Sequence, residues 1–520
     1  MIQDLDYRDN VGGLFKVDIE KIHLLESPKD FYLNIRSILS EAKNRIIISS
    51  LYIGNGALEQ EIINLIDQTL TNNRKYIINN DKVNNLHVNI IVDFNRMQRN
   101  KEDMLILFEN MLRKFPNNFK VYLFQLPIFN KYNHELNRMA YKKNNIYNKI
   151  GDNIIKYFSS IEKLKLLKEV LGVYHMKFYI ADNNILLTGA NLSEEYLTKR
   201  QDRYILLRDV PEICDYLSKI SDIVQEYSYT LKPNNKLQFP KKEDIYIMRE
   251  DMLKLNKDVN WLKDLIYSFE KQHDEDFIKK YKDKVIFGIL LQAGYMNINS
   301  EKNLVKYLIN SCIKDIGLYI CTPYCNMSTY WTNLMKFNSN PLVIVTSGSK
   351  SSTFSQLKEP IYLNILDYIK TLVIPLYSSI NSEFIKDIIY NSNHKQRQVE
   401  FGEYERDEWT FHAKGIYFYK YRKELISNSI RNEDDETDDF TKYYGRRIFA
   451  NYLGSSNYNH RGESRDLECS FLLLTNGNKE IQENLNREWY ENIYKYLKRG
   501  NPLGHTFKLG KYMITSNFNI

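Results

Sequence analysis

The chain has 520 residues, of which 43% are hydrophobic and 26% charged, and its net charge is 72 − 65 = +7. That length implies about two to four domains or one large duplicated fold, and the apolar content excludes a mostly disordered chain. So mild a positive balance suits phosphate groups or an anionic surface and does not call for nucleic acid.

At the N-terminus, residues 1–30 hold seven acids and four bases and no apolar core. They match neither a secretory signal nor an Arg-rich presequence. Onward from there, strands are expected at 45–53, 88–94, 120–126, 175–180 with 185–187, 316–324, 342–346, 371–376, 412–419, 446–453 and 467–474. Helices are expected at 32–43, 58–73, 104–114, 211–227 and 479–498. Short β-rich runs separated by helical patterns indicate α/β layering with a parallel or mixed sheet. The longest apolar run, 285–291, is a core strand by length and too short to span a bilayer.

The order of elements repeats. Ser49-Ser50-Leu51-Tyr52, a helix, the strand ending at Asp93, a further strand and the His175 segment have a second counterpart. Cys321-Thr322-Pro323-Tyr324, a helix, the 342–346 strand, the 371–376 strand and the His412 segment follow in the same order. The first copy is longer by the Asn-, Lys- and Tyr-rich stretch 129–167. A repeat of this period means two similar domains packed together. The expected division is an N-terminal extension at 1–30, a first domain at 31–231 and a charged helical connector at 232–284. A second domain at 285–475 and a C-terminal helix and tail at 476–520 complete it. The acid run 433–439 reads as a solvated loop tip. Cys214, Cys312, Cys321, Cys325 and Cys469 form no disulfide framework, and the Cys321/Cys325 pair has no second pair with which to bind a metal.

Each half carries one His-x-Lys word: His175-Met176-Lys177, followed by Asp182, and His412-Ala413-Lys414. Downstream lie Gly189-Ala190-Asn191 and Gly454-Ser455-Ser456-Asn457. Alternate residues of a strand share a face, so His and Lys of each word point the same way. One such word says little. Two, each trailed by a Gly-containing turn and an Asn in a duplicated order, can build one site. There, one imidazole acts as nucleophile and the other as acid, while two ammonium groups stabilise charge growing on a pentacoordinate phosphorus. The residues alone leave open which imidazole does which.

At these positions the sequence resembles the phospholipase D superfamily, with its doubled His-x-Lys-x4-Asp; the second copy has Tyr419 in place of the Asp. It further resembles the eukaryotic-type phosphatidylglycerophosphate synthases in Thr188-Gly189-Ala190-Asn191-Leu192-Ser193, Arg200-Gln201-Asp202-Arg203-Tyr204 and Trp409-Thr410-Phe411-His412-Ala413-Lys414-Gly415. The resemblance implies an α/β, duplicated phospholipase D-like fold: two α/β/α sandwich domains sharing one active site at their interface. It implies phosphatidyl transfer from CDP-diacylglycerol to sn-glycerol 3-phosphate, with a phosphohistidine on His175 and His412 as acid and base. Lys177, Lys414, Asn191 and Asn457 would hold phosphoryl oxygens, and Asp182 would orient an imidazole. Ser455, Asp202 and Glu468 are further substrate-binding candidates.

No cofactor or metal is expected to be required, with a divalent cation as a stimulator only. The expected partners are the two substrates and an anionic membrane surface, met peripherally; no nucleic acid is expected. The family implies the mitochondrial inner membrane. Membrane contact is expected from the insert 131–156 and from Tyr494, Lys495, Tyr496, Lys498 and Arg499. Other phosphatidyl transfer or hydrolysis on the same fold, or a non-catalytic membrane-binding protein, are the competing readings.

Overall fold

A computed structural model describes residues 9–79, 85–97, 102–127, 172–234, 236–256, 258, 260–312, 316–348, 350–352, 384, 387–388, 398–420 and 446–498. The expected features at 129–167, 371–376 and 433–439, and the membrane candidates 131–156 and Arg499, lie outside these residues.

The duplication expected from the element order is present in the sheet topology. One sheet runs Lys236–Gln238, Ser228–Lys232, Phe119–Phe124, His87–Asp93, Arg45–Ser49, Phe178–Ala181, Asn184–Thr188, Tyr204–Leu207, Ile22–Leu25. The other follows the same path from Leu497–Lys498 through Val399–Tyr404, Leu342–Ser347, Ile316–Cys321, Gly415–Lys420, Arg447–Gly454 and Glu468–Leu474 to Lys284–Ala293. Gly12–Asp18 adds its last edge strand. In each sheet three consecutive strands are parallel, and the strand carrying on from His-x-Lys pairs antiparallel with the first of them.

Strand periodicity splits the core. Ile46 and Ile48 pack with the helices on the outer face of the first sheet, while Ile47 joins a core shared by both halves. Leu318 and Ile320 likewise face outward in the second sheet, and Tyr319 and Cys321 face the shared core. The helices Pro211–Glu226 and Lys479–Asn492 also contribute to that shared core, through Ile213, Leu217, Leu485 and Trp489. The first helix, expected at 32–43, spans Pro28–Glu41. Pro28 at its first position and a reciprocal Ser27–Asp30 capping box start it earlier than its apolar period suggests.

Other boundaries moved for tertiary reasons. Residues 12–25, within the expected extension, give one strand to each sheet. The stretch 232–284 carries the helices Ile245–Leu253, Trp261–Glu270 and Glu275–Lys280. The terminal helix stops at Asn492; Tyr494–Tyr496 is a 3-10 turn and Leu497–Lys498 an edge strand. Tyr494 is buried, while Lys495, paired with Glu491, and Lys498, paired with Glu405, are exposed outside the helix expected to carry them.

Arg203 ties the halves together. From the first sheet its guanidinium makes a two-pronged pair with Glu488 at 2.9 and 2.9 Å, and reaches Asn451 Oδ1 at 2.6 Å. It lies 4.0 Å over the Tyr417 ring. A Cβ at residue 415, where φ is 146°, would stand 2.2 Å from Arg203 Nη1, which is why Gly follows Lys414. Removing Arg203 leaves Glu488 buried and unpaired. Arg203→Ala should therefore cost about 3–5 kcal/mol, read as a lower melting temperature; an unchanged melt would contradict the clamp.

Candidate active site

The strands expected to carry the histidines begin later, at Phe178 and Gly415. Both His-x-Lys words are extended chain just before them, held by the opposite half. Tyr174 bridges Leu467 in parallel, and His175 N–H donates to the Leu467 carbonyl at 3.0 Å. In the second half Thr410–Phe411 pairs in parallel with Arg200–Gln201, and His412 N–H donates to the Gln201 carbonyl at 2.8 Å. The two arrangements are equivalent position for position.

The residue after each accepting carbonyl is a carboxylate. Glu468 faces His175 Nδ1 at 2.8 and 2.9 Å, and Asp202 faces His412 Nδ1 at 2.6 Å. Each half thus orients the histidine of the other. A carboxylate on Nδ1 holds the proton there and leaves Nε2 for chemistry; the His412 ring differs in that Lys414 Nζ also lies 2.6 Å from its Nδ1 and 3.3 Å from its Nε2. Asp202 and Glu468, expected at the substrate, are the partners of the imidazoles.

All four His and Lys side chains are buried, His412 being the most exposed at 6%. Lys177 and Lys414 each donate to the carbonyl of their own histidine at 2.8 Å. Burial, with Lys177 next, holds the His175 imidazole well below its ordinary value. Burial, then Lys414, does the same for His412. The contact between Glu468 and His175 is therefore a hydrogen bond from a neutral ring and not an ion pair. Burial raises Glu468 to about 7 and lowers Lys177 to about 7 and Lys414 to about 8. Burial pushes Asp202 up as well, but Lys414 and His412 outweigh it and hold it below the usual carboxylate value.

Asp182 is not brought to either imidazole. It sits at φ 52° in the tight turn after Phe178–Ala181, where its carboxylate accepts the N–H groups of Lys43 and Asn44 at 2.8 Å and of Arg45 at 3.0 Å. Its role is to hold the far end of the sheet, which corrects the expectation that it orients a histidine. Tyr419 stands where a second Asp would, inside the longer strand Gly415–Lys420 with no turn to stabilise.

Ser455 hydrogen-bonds Glu468 Oε2, the same oxygen that lies 2.8 Å from His175 Nδ1. Asn191 and Asn457 are buried, and the amide oxygen of each has no partner among the described residues. Flipping the Asn457 amide would present a donor at the same place, whereas the Asn191 amide already donates its Nδ2–H to the Tyr196 hydroxyl at 3.3 Å. Asp93 and Asp466, not singled out by the sequence, accept the N–H groups of Tyr174 at 3.0 Å and Val173 at 2.9 Å and so pin the first word. Tyr196 was also missed; its hydroxyl is 3.1 Å from His412 Nε2.

Among the described residues, His175, Asp466 and Glu468 could bring ligand atoms together for a metal. Their oxygens already serve protein donors: Asp466 takes Arg461 Nε at 2.8 Å, and Glu468 takes Ser455 and His175.

No protein-family model matches the chain. It is 26% identical over 509 residues to the chicken protein named CDP-diacylglycerol–glycerol-3-phosphate 3-phosphatidyltransferase, mitochondrial, covering 93% of this chain and 80% of that one. With the human protein of the same name it shares 24% identity, covering 96% and 81%. The fission yeast CDP-diacylglycerol–glycerol-3-phosphate 3-phosphatidyltransferase is 24% identical, covering 91% and 88%. This chain is similar to these phosphatidyltransferases over most of its length. Among solved structures, Haemophilus influenzae phosphatidylserine synthase superposes with a TM-score of 0.61 at 18% identity, over 94% of this chain and 89% of that one. The fold is phospholipase D-like.

Two outcomes follow from the geometry. Glu468→Gln and Asp202→Asn should each lower kcat by about 10²–10⁴-fold with the fold intact, whereas Asp182→Ala should cost about 1–2 kcal/mol of stability and leave the rate of folded protein unchanged. Steady-state kinetics beside a melting curve separates the two classes. Lys177 and Lys414 lose their charge as pH rises through about 7 and about 8. So kcat/KM, which reports the free enzyme, should fall over that range, and the limb in kcat should lie higher because a bound phosphate holds both lysines charged. Coincident limbs would contradict this.

Proposed function

We propose that the chain transfers the phosphatidyl group of CDP-diacylglycerol to sn-glycerol 3-phosphate, giving CMP and phosphatidylglycerophosphate. The observation that carries this reading is the meeting of both His-x-Lys words at one interface, each imidazole held by the other half's carboxylate. The full-length likeness to the phosphatidyltransferases supports the choice of substrates.

In the first step the neutral Nε2 of His175 forms a bond to the phosphatidyl phosphorus as the P–O bond to CMP breaks. The electron pair leaves with the CMP oxygen, which takes the Nε2 proton of His412, a ring that enters this step as an imidazolium because the anionic diphosphate is bound beside it. In the second step His412 takes the proton of the glycerol 3-phosphate primary hydroxyl. That oxygen bonds phosphorus, and the N–P bond breaks back onto His175. Lys177 and Lys414 balance charge on the phosphoryl oxygens, and Asn191 and Asn457 contact them. Fixed ammonium groups at this place do the work a cation would do, so the reaction requires no metal, and a divalent ion acts as a stimulator.

The site of action we infer is the mitochondrial inner membrane, reached peripherally. The names of two relatives include "mitochondrial", and among the described residues no helix is long and apolar enough to cross a membrane.

CMP should exchange into CDP-diacylglycerol without glycerol 3-phosphate, and EDTA should slow this without abolishing it. Sequential kinetics with no exchange would sink the covalent step. His175→Ala and His412→Ala should each remove several orders of magnitude of rate, and the double variant little more, because the two act as a unit. Release of CMP that does not depend on glycerol 3-phosphate and yields phosphatidic acid would mark a hydrolase instead. In flotation, the protein should bind anionic liposomes better than neutral ones, and less as salt rises; equal binding to both would remove the electrostatic part.

A further inference from the structure

The two halves match residue for residue between Asn191–Asp202 and Asn457–Glu468, each spanning the same eleven steps (202 − 191 = 468 − 457). Within that match, the short helices Glu194–Thr198 and His460–Ser464 are equivalent, and so are their N-cap residues Ser193 and Asn459. One pair differs in a way that touches the reacting atoms. Tyr196 stands in the first half and Gly462 in the second.

Tyr196 is buried, and its hydroxyl lies 3.1 Å from His412 Nε2 and 3.3 Å from Asn191 Nδ2; Lys414 Nζ, at 3.3 Å, is the other neighbour of that Nε2. Its ring packs edge-on against the imidazole at 4.9 Å, and Arg200 covers its other side at 4.7 Å. On the mirrored side, a Cβ at Gly462 would stand 3.2 Å from Glu468 Oε1, the carboxylate of His175, and 3.3 Å from Asn459 Oδ1, so this position holds no side chain that could reach the imidazole. His175 Nε2 has no hydrogen-bond partner among the described residues.

We propose that Tyr196 is the positioning residue that makes this twofold site run in one direction, by capping the Nε2 of His412 so that only the His175 Nε2 is open to phosphorus. This rests on the phosphohistidine reading above and deepens it. A hydroxyl suits the task because it can serve both protonation states. It donates to Nε2 when His412 is neutral, and it accepts from Nε2–H when the ring is charged. His412 therefore trades protons with the leaving and entering oxygens through the Tyr196 hydroxyl, which passes one proton on as it takes another, while the ring nitrogen itself is kept from phosphorus. Asn191 Nδ2–H donates to the same hydroxyl oxygen, so the chain of donors runs from Asn191 to Tyr196 to His412 to Asp202. The second half has no counterpart of this chain, because Gly462 has no hydroxyl to give.

The test uses the full chain in detergent micelles with CDP-diacylglycerol labelled at the phosphatidyl phosphorus. Glycerol 3-phosphate is omitted, the reaction is stopped in alkali to preserve phosphohistidine, and labelled peptides are mapped. Wild type should carry label at His175 alone, and His175→Ala none. Tyr196→Phe should spread label to His412 and lose about tenfold in transfer rate, the effect of one hydrogen bond at the acid–base group. Tyr196→Phe combined with His175→Ala should regain label, now at His412. A Tyr196→Phe protein with a wild-type melting curve and label confined to His175 would overturn the proposal. So would label at His412 in wild type, whatever the variants do. Wild type that releases CMP and forms phosphatidylglycerophosphate with no label at all would sink the phosphohistidine reading itself, and the role of Tyr196 with it.

Discussion

Each histidine of this protein is oriented by a carboxylate from the opposite half. Neither half holds a complete histidine–carboxylate pair, so the site exists only while the interface is formed. The backbone enforces this. One parallel bridge on each side puts the accepting carbonyl of Leu467 or Gln201 against a histidine N–H, and the next residue in the chain is then necessarily beside the ring. The rest of the fold maintains that registration. The shared apolar core fixes the distance between the sheets, Arg203 locks one sheet to a helix of the other half, and Asp93 and Asp466 pin the segment entering His175. An error of one residue in either bridge would replace a carboxylate with Leu467 or Gln201.

The same interface is expensive electrostatically. Two ammonium groups, two imidazoles and two carboxylates are buried together, and desolvation works against every charge in the group. The balance favours neutral rings, and lysines that can still be charged near neutral pH. A phosphate entering such a site meets fixed cations with little water to reorganise, which is where electrostatic stabilisation of a developing anion is strongest.

Duplication alone would make a site with no preferred direction. The departures from symmetry are therefore informative, and they are of two kinds. Asp182 against Tyr419 follows from local backbone: a turn needs a residue that tolerates positive φ and can accept several N–H groups, and a strand does not. Gly189 against Ser455 and Tyr196 against Gly462 lie beside the carboxylates and the imidazoles. There a single hydroxyl changes what Nε2 or a carboxylate can do.

The sequence by itself determined the α/β layering, the doubling and the four residues His175, Lys177, His412 and Lys414. Periodicity, element order and spacing are local, and each survives in a linear string. Asn191 and Asn457 were legible in the same way, from their turns. Which side chains face one another was settled by packing across the interface. Asp182 follows His175 closely in sequence, yet the turn after a short strand carries it to the far end of the sheet. Glu468 is 293 residues from His175, and Asp202 is 210 from His412, yet parallel bridges across the interface put both at hydrogen-bond distance. Tyr196 carried no signal beyond its spacing from Asn191, and its meaning depends on a ring contributed by the other half. Contacts between halves obey no period along the chain, because they are set by how two finished sheets pack.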